Sequence, residues 1–251
     1  MFGRDSVGWS EEVACCAGAL HAVRDALLEV LSPTRCIGCE RPGELLCAEC
    51  AARIARVDPE LACPRCGAPY GRLVCTECKG ATALDWCVAA ATFDSPVPEI
   101  VRGYKDAGER RLAGAVASIM AQAYLAALPY APEGLAGVPR LLTFVPATAR
   151  AYRRRGFDHM GAVAACLSPL LGAPVADVLA KLGKSDQRRL DREGRAASSR
   201  GAYRVVAPVS GLDLLLVDDV ITTGATMSAA AGTLKEAGAR TVVGLALARV
   251  W

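Results

Sequence analysis

LLLVDDVITTGAT, residues 214–226, places a buried strand, a pair of carboxylates and a phosphate cradle in one uninterrupted run. The apolar stretch 214–217 has the composition of a parallel strand covered on both faces of a sheet. Asp218 and Asp219 follow at its carboxyl end, the edge at which open α/β sheets bind ligands. After Val220 and Ile221, the residues Thr222, Thr223, Gly224, Ala225 and Thr226 combine hydroxyls with a residue lacking Cβ, immediately before the helical stretch 227–237. Backbone N–H groups and hydroxyls in such a loop can point at a phosphate, with the positive end of the helix dipole behind them. Two adjacent acids would repel a free phosphate. A sugar phosphate satisfies both features, because the acids accept hydrogen bonds from vicinal hydroxyls while the loop holds the ester. A Walker loop fits poorly, since no Lys follows Gly224 as G-x-x-x-x-G-K-[ST] requires.

Eight of the twelve cysteines form four C-x-x-C pairs: Cys36 with Cys39, Cys47 with Cys50, Cys63 with Cys66, and Cys75 with Cys78. A two-residue gap lets both sulfurs reach one metal through a tight knuckle, and four thiolates complete the tetrahedron of a structural zinc site. Redox dithiols of thioredoxin type occur once per active site, so four pairs point to Zn²⁺, with two ions. Sequential pairing would join Cys36, Cys39, Cys47 and Cys50 in one ribbon and Cys63, Cys66, Cys75 and Cys78 in another; interleaved pairing is the alternative. Short loops of this kind cannot bury a sufficient core without metal. Cys15, Cys16, Cys87 and Cys166 read as buried, inert thiols.

A chain of 251 residues with 53% hydrophobic and 22% charged residues excludes a disordered protein and accommodates one good core plus a small accessory unit. The formal charge of +3 counts cysteines as neutral. Eight thiolates with two Zn²⁺ would bring it to about −1, so the basic pI is poor evidence for nucleic-acid binding. No apolar run approaches bilayer-crossing length, and Glu11, Glu12 and Asp25 interrupt any signal region, so a cytoplasmic protein with no membrane span is expected. Three units are expected: an amphipathic helix within 1–32, a double zinc ribbon over 33–80, and an α/β domain over 81–251. In the last, strands are predicted over 84–93, 140–145, 175–179, 214–217 and 242–247, with helices over 97–106, 110–128, 158–171 and 227–237. Such alternation implies a parallel sheet with right-handed crossovers flanked by helices. The polar segment 184–201 reads as a lid over a site or as a solvated loop.

A second anion cradle follows the strand 140–145. Pro146, Ala147, Thr148 and Ala149 let the backbone approach a diphosphate, and Arg155, beside Gly156, is the preferred guanidinium contact. Asp158 can cap the next helix. Arg153 and Arg154 read either as ligand contacts or as a solvated or nucleic-acid-facing patch. His159 reads as an ordinary first-turn histidine, with acid–base chemistry as the sharper alternative.

Residues 214–226 resemble the signature of type I phosphoribosyltransferases. Together with the cysteine ribbon, Tyr104-Lys105, VPATARAYRRRGFDH and the spacing of Gln187, Leu190 and Arg195, they make the chain similar to the ComF (ComFC) family of competence-associated phosphoribosyltransferase-like proteins. The resemblance implies the type I fold. It places Asp218 and Asp219 as catalytic acids on the ribose hydroxyls, 222–226 on the 5′-phosphate, the loop after Pro146 on diphosphate, and Gln187 and Arg195 on a lid. It further implies phosphoribosyl diphosphate with Mg²⁺, and a role in uptake of single-stranded DNA beside a helicase partner, through either transfer chemistry or a catalytically silent adaptor. Family members usually read RGFNQ where this chain has Asp158 and His159, and carry Asn and Phe where Ser198 and Tyr203 stand.

Overall fold

The computed structural model describes residues 33–72, 75–76, 78, 82–137, 139, 141–182 and 202–251. The predicted helix within 10–31, with Cys15 and Cys16, and the lid residues Gln187 and Arg195 lie outside the described residues.

The sheet is built on the quoted run. Strand β5 (Asp213–Ile221) lies between β6 (Thr241–Arg249) and β2 (Leu141–Phe144), and β1 (Trp86–Thr92) completes the order β1-β6-β5-β2, every pair parallel. Both faces are covered, which is why β5 shows no polar alternation through Leu214–Val217. Leu215 and Val217 enter a core with α3 (Leu112–Ala127) and α5 (His159–Leu171), while Leu214 and Leu216 pack toward α6 (Ala225–Glu236). Each of the four is at most 1% exposed, and burying such a side chain contributes about 2 kcal/mol.

Helix α3 continues into a 3-10 turn (Leu128–Tyr130), and this 19-residue stretch is the one described helix long and apolar enough to cross a membrane. The sequence reading found no such run. Half of it is buried within the protein, with Met120 in the core and Tyr124 5.9 Å from Trp86, ring to ring.

Three further elements differ from expectation. The arginine segment after Pro146 is a helix, α4 (Ala149–Arg155), capped by the Thr148 hydroxyl, which accepts from the Ala151 N–H, and closed by Gly156 at φ 75°. The strand expected over 175–179 is reduced to a bridge from Val175 to Leu142 at the sheet edge. The chain then leaves the sheet to form β3 (Leu179–Lys181), which pairs antiparallel with β4 (Tyr203–Val205).

The cysteine-rich segment, with its single short helix α1 (Ala48–Ala52), braces the α/β unit at two places. Along the open edge of β1, the Val57 N–H donates to the Ala90 carbonyl, the Thr92 N–H to the Ala55 carbonyl, and the Cys87 N–H to the Pro64 carbonyl. An exposed strand edge would otherwise offer these groups to another chain. The second brace is on α2 (Val97–Lys105), where a Cβ on Gly103 would lie 2.5 Å from Ile37 Cδ1. Ile37 belongs to the first cysteine knuckle, and any larger residue at 103 would require its side chain to shift.

Candidate functional site

Asp218 and Asp219 lie within β5 rather than after it, because pairing continues through Val220 with Ala248 and Ile221 with Arg249. Thr222, Thr223 and Gly224 then form a tight loop, with Gly224 at φ 77°, and α6 begins at Ala225, two residues earlier than expected. No side chain caps the helix at Gly224. The Thr223 hydroxyl accepts from the Ala225 N–H at 3.3 Å, and Thr222, Thr223, Ala225 and Thr226 are all exposed. First-turn N–H groups lack intrahelical partners, so this is a cradle open to an anion. Arg249, 2% exposed, donates to the carbonyls of Ile221, Thr222 and Val250. It thereby fixes the carbonyl side of the loop. Nothing local in the sequence marks this residue, which lies a full crossover away.

The two acids are equally buried, at 8% exposure, yet differ in their partners. Asp219 Oδ2 pairs with the Lys105 ammonium from α2 and lies 2.7 Å from His159 Nε2, while Oδ1 accepts from the Val220 N–H at 2.6 Å. Burial opposes its ionisation, but His159 and Lys105 together hold it below the usual carboxylate range. Asp218 has one such bond, from the Asp219 N–H at 2.9 Å to Oδ1, and its other oxygen has no hydrogen-bond partner among the described residues. Burial, reinforced by the neighbouring Asp219 charge, pushes Asp218 up to about 8. Lys105 and Lys181 oppose that rise. Lys181 on β3 also stands 5.4 Å over the Tyr203 ring on β4, and burial with the Asp218 charge pushes Tyr203 up to about 12. The hairpin thus flanks the acid pair, and the Leu182 N–H to Ala202 carbonyl bond closes the base from which 183–201 departs.

On the other side, Asp158 does more than cap α5. Its Oδ1 accepts from the Met160 and Gly161 N–H groups, and its Oδ2 accepts from the Ala147 N–H at 2.8 Å. The carboxylate therefore ties the loop of Pro146, Ala147 and Thr148 to the start of α5. Arg155 is half-buried. One of its terminal nitrogens lies 3.3 Å from His159 Nδ1, and its buried Nε has no partner among the described residues. His159 is not the ordinary first-turn histidine expected from sequence, being 6% exposed and bonded to Asp219. Arg150, Arg153 and Arg154 are exposed on α4.

The cysteines gather in sequential order: Cys36, Cys39, Cys47 and Cys50 in one group, Cys63, Cys66, Cys75 and Cys78 in the other, with the sulfurs of each group within 4.8 Å of one another. Contacts of 3.7 Å (Cys39 to Cys47), 3.6 Å (Cys66 to Cys75) and 3.9 Å (Cys63 to Cys78) exceed any disulfide. They match the edge of about 3.8 Å that a sulfur tetrahedron requires around zinc, given Zn–S near 2.3 Å. Gly67 follows Cys66 at φ 68°, and a Cβ there would meet the Ala89 backbone nitrogen at 3.0 Å, so the second knuckle can approach β1 only through glycine. Both groups suit structural zinc.

Over 219 residues the chain is 31% identical to the DNA utilization protein YhgH of Salmonella typhi, spanning 84% of this chain and 94% of that protein. The competence protein ComFC of Bacillus subtilis (strain 168) is 24% identical over 206 residues, 79% of this chain and 81% of that one. The chain belongs to the ComF family. No protein-family model matches it. This ComF protein has a four-stranded parallel sheet flanked by helices, preceded by two four-cysteine clusters. Among solved structures, the allosteric regulatory enzyme of purine biosynthesis aligns with a TM-score of 0.35 and 21% identity over 55% of this chain and 25% of that one. Sequence reading placed Asp218, Asp219 and the loop 222–226 in order at the end of one strand, as the structure has them, but missed the residues that grip them. His159 is 60 residues from Asp219 in the chain, and Arg249 is 27 from Thr222. Lys105 carried a signal only as part of the family's Tyr104-Lys105 segment.

Proposed function

We propose that this ComF protein binds phosphoribosyl diphosphate with Mg²⁺ and works in the handling of incoming DNA. The unbroken order of acid pair, glycine loop and helix start carries the reading. Asp218, with an oxygen to spare, accepts from the ribose hydroxyls, and the N–H groups and hydroxyls of 222–226 hold the 5′-phosphate. The loop of Pro146, Ala147, Thr148 and Ala149, with Arg155, faces the diphosphate. Hard carboxylate oxygen suits Mg²⁺, which when bound neutralises the leaving diphosphate as positive charge develops on the ribose. The segment 33–80 acts as a metal-stapled module bracing the unit 81–251. The names of the relatives, DNA utilization and competence, support the wider role.

Calorimetric titration of the zinc-loaded protein with Mg²⁺ and phosphoribosyl diphosphate is expected to show saturable binding at one site per chain. Heat indistinguishable from dilution would refute the reading. Pyrophosphate release in the presence of a metabolite pool separates transfer from binding alone.

The exposed face of α4 supports a second activity. Arg150, Arg153 and Arg154 are exposed, Arg154 beside Asp106, and Tyr152, 51% exposed, lies on another side of the helix, giving cations and a nearby ring for a single strand. Three phosphate contacts predict that log K falls against log salt with a slope of about −2. Arg153→Ala with Arg154→Ala should flatten it to about −0.7. An oligonucleotide titration insensitive to salt, or no binding at low salt, would remove this activity.

A further inference from the structure

His159 opens α5, yet its ring is buried and engaged on both nitrogens. Nε2 lies 2.7 Å from Asp219 Oδ2, and an Arg155 guanidinium nitrogen lies 3.3 Å from Nδ1. A guanidinium can only donate, so Nδ1 carries a lone pair and the ring proton sits on Nε2, facing the acid. Asp158 Oδ1, at 4.0 Å, is too far to draw that proton to the other nitrogen. In this arrangement Nε2 donates to Asp219. Its backbone is pinned as well, because the Tyr104 hydroxyl donates to the His159 carbonyl at 2.5 Å. Lys105, next in the chain to Tyr104, reaches the same Asp219 oxygen. With Val220 on the other oxygen, Asp219 already holds three donors, while Asp218 holds one.

We infer that His159 is a positioning residue of the sugar site: held by Arg155 as the neutral Nε2–H form, it donates to Asp219 and fixes it as an internal anchor, leaving Asp218 to meet the pentose. The inference rests on the proposed phosphoribosyl site and divides the labour of its two acids. Arg155 is thereby shared between the diphosphate side and the sugar side. Glutamine at this position could offer one amide N–H to Asp219 but could not accept from Arg155 with the same ring geometry.

The chain has two histidines, His21 and His159, so nitrogen NMR of the histidine-labelled, zinc-loaded protein resolves the ring states, with His159→Gln giving the assignment. The His159 ring is expected as the Nε2–H tautomer, and Asp219→Asn is expected to shift it. In calorimetry with Mg²⁺ and phosphoribosyl diphosphate, His159→Ala should weaken binding about tenfold, the value of one charge-assisted hydrogen bond. His159→Gln should recover it to within about threefold. An Nδ1–H tautomer, or His159→Ala and wild type binding alike, would overturn the inference. Should wild type bind no donor at all, the phosphoribosyl reading fails, while the tautomer and its response to Asp219→Asn still decide the positioning role. If His159→Ala does not fold, His159→Asn, too short to reach Asp219, takes its place.

Discussion

Asp218→Asn is expected to melt higher than wild type at pH 8 and to lose binding of phosphoribosyl diphosphate. Burial and the Asp219 charge push the Asp218 carboxyl up to about 8 in the folded protein, against about 3.9 in an unfolded chain. Between these values the folded state holds a proton that the unfolded state has released, so stability falls as pH rises from about 4 to about 8 and levels off above. An amide keeps the oxygen that accepts from the Asp219 N–H and carries no charge to bury. A proton held from about pH 4 to about pH 8 is worth about 5 kcal/mol, so the variant should gain up to about that much at pH 8, roughly 10–20 °C in a chain of this size, and nothing near pH 4. The cost falls on the ligand: at pH 8 and above, where Asp218 is at least half ionised, loss of this charged acceptor for the ribose hydroxyls should weaken binding by about 100-fold. Scanning calorimetry at the two pH values, paired with donor titration, checks both halves. A variant that melts lower at pH 8, or binds donor as wild type does, would detach Asp218 from the sugar site. The trade of stability for activity is common where a site buries a charge for function.

Stripping the metal with a strong chelator should release two equivalents of zinc and unravel 33–80. Four sulfurs at these separations cannot all be thiolates without a cation between them. Burial and the neighbouring sulfurs push Cys50 up to about 12, so without an ion it stays protonated and the cluster has little to hold it. Zinc supplies about 10–16 kcal/mol in small zinc-finger peptides, as much as the entire stability of a typical domain. The segment itself buries few apolar side chains, Ile54, Val57 and Ala68 among them. Cys36→Ser and Cys63→Ser should each lower the zinc content by one. Unravelling also strips the hydrogen bonds of Ala55, Val57 and Pro64 from β1, and the bared edge should drive aggregation. A colorimetric zinc assay with limited proteolysis and light scattering reads all three effects. Retained protease resistance across 33–80 after full zinc release would show that the fold does not depend on metal.

What the sequence made legible was local. The order of β5, loop and α6 could be read because strand composition, hydroxyls and glycine lie within thirteen consecutive residues. The cysteine knuckles were equally plain, although spacing left two pairings open, and the sulfur positions select the sequential one. Helix α4 was missed although its signals were present: Thr148 at the N-cap and Gly156 just beyond the last turn. The pull of the arginines toward a ligand-loop reading hid them. Strands β3 and β4 have three residues each, too few for a period-2 pattern. The grips on Asp219 and on the phosphate loop could not be read from spacing, because Lys105, His159 and Arg249 reach them from other elements. Asp158 could be assigned its cap but not its second bond to Ala147.

Helix α2 is seated on Ile37 at Gly103 and holds Asp219 through Lys105 two residues later. Its middle meets the first cysteine knuckle and its last residue is the counter-ion of Asp219. One helix of nine residues therefore touches a cysteine knuckle at one position and the acid pair two residues on, so the same element is shared by the two parts of the chain.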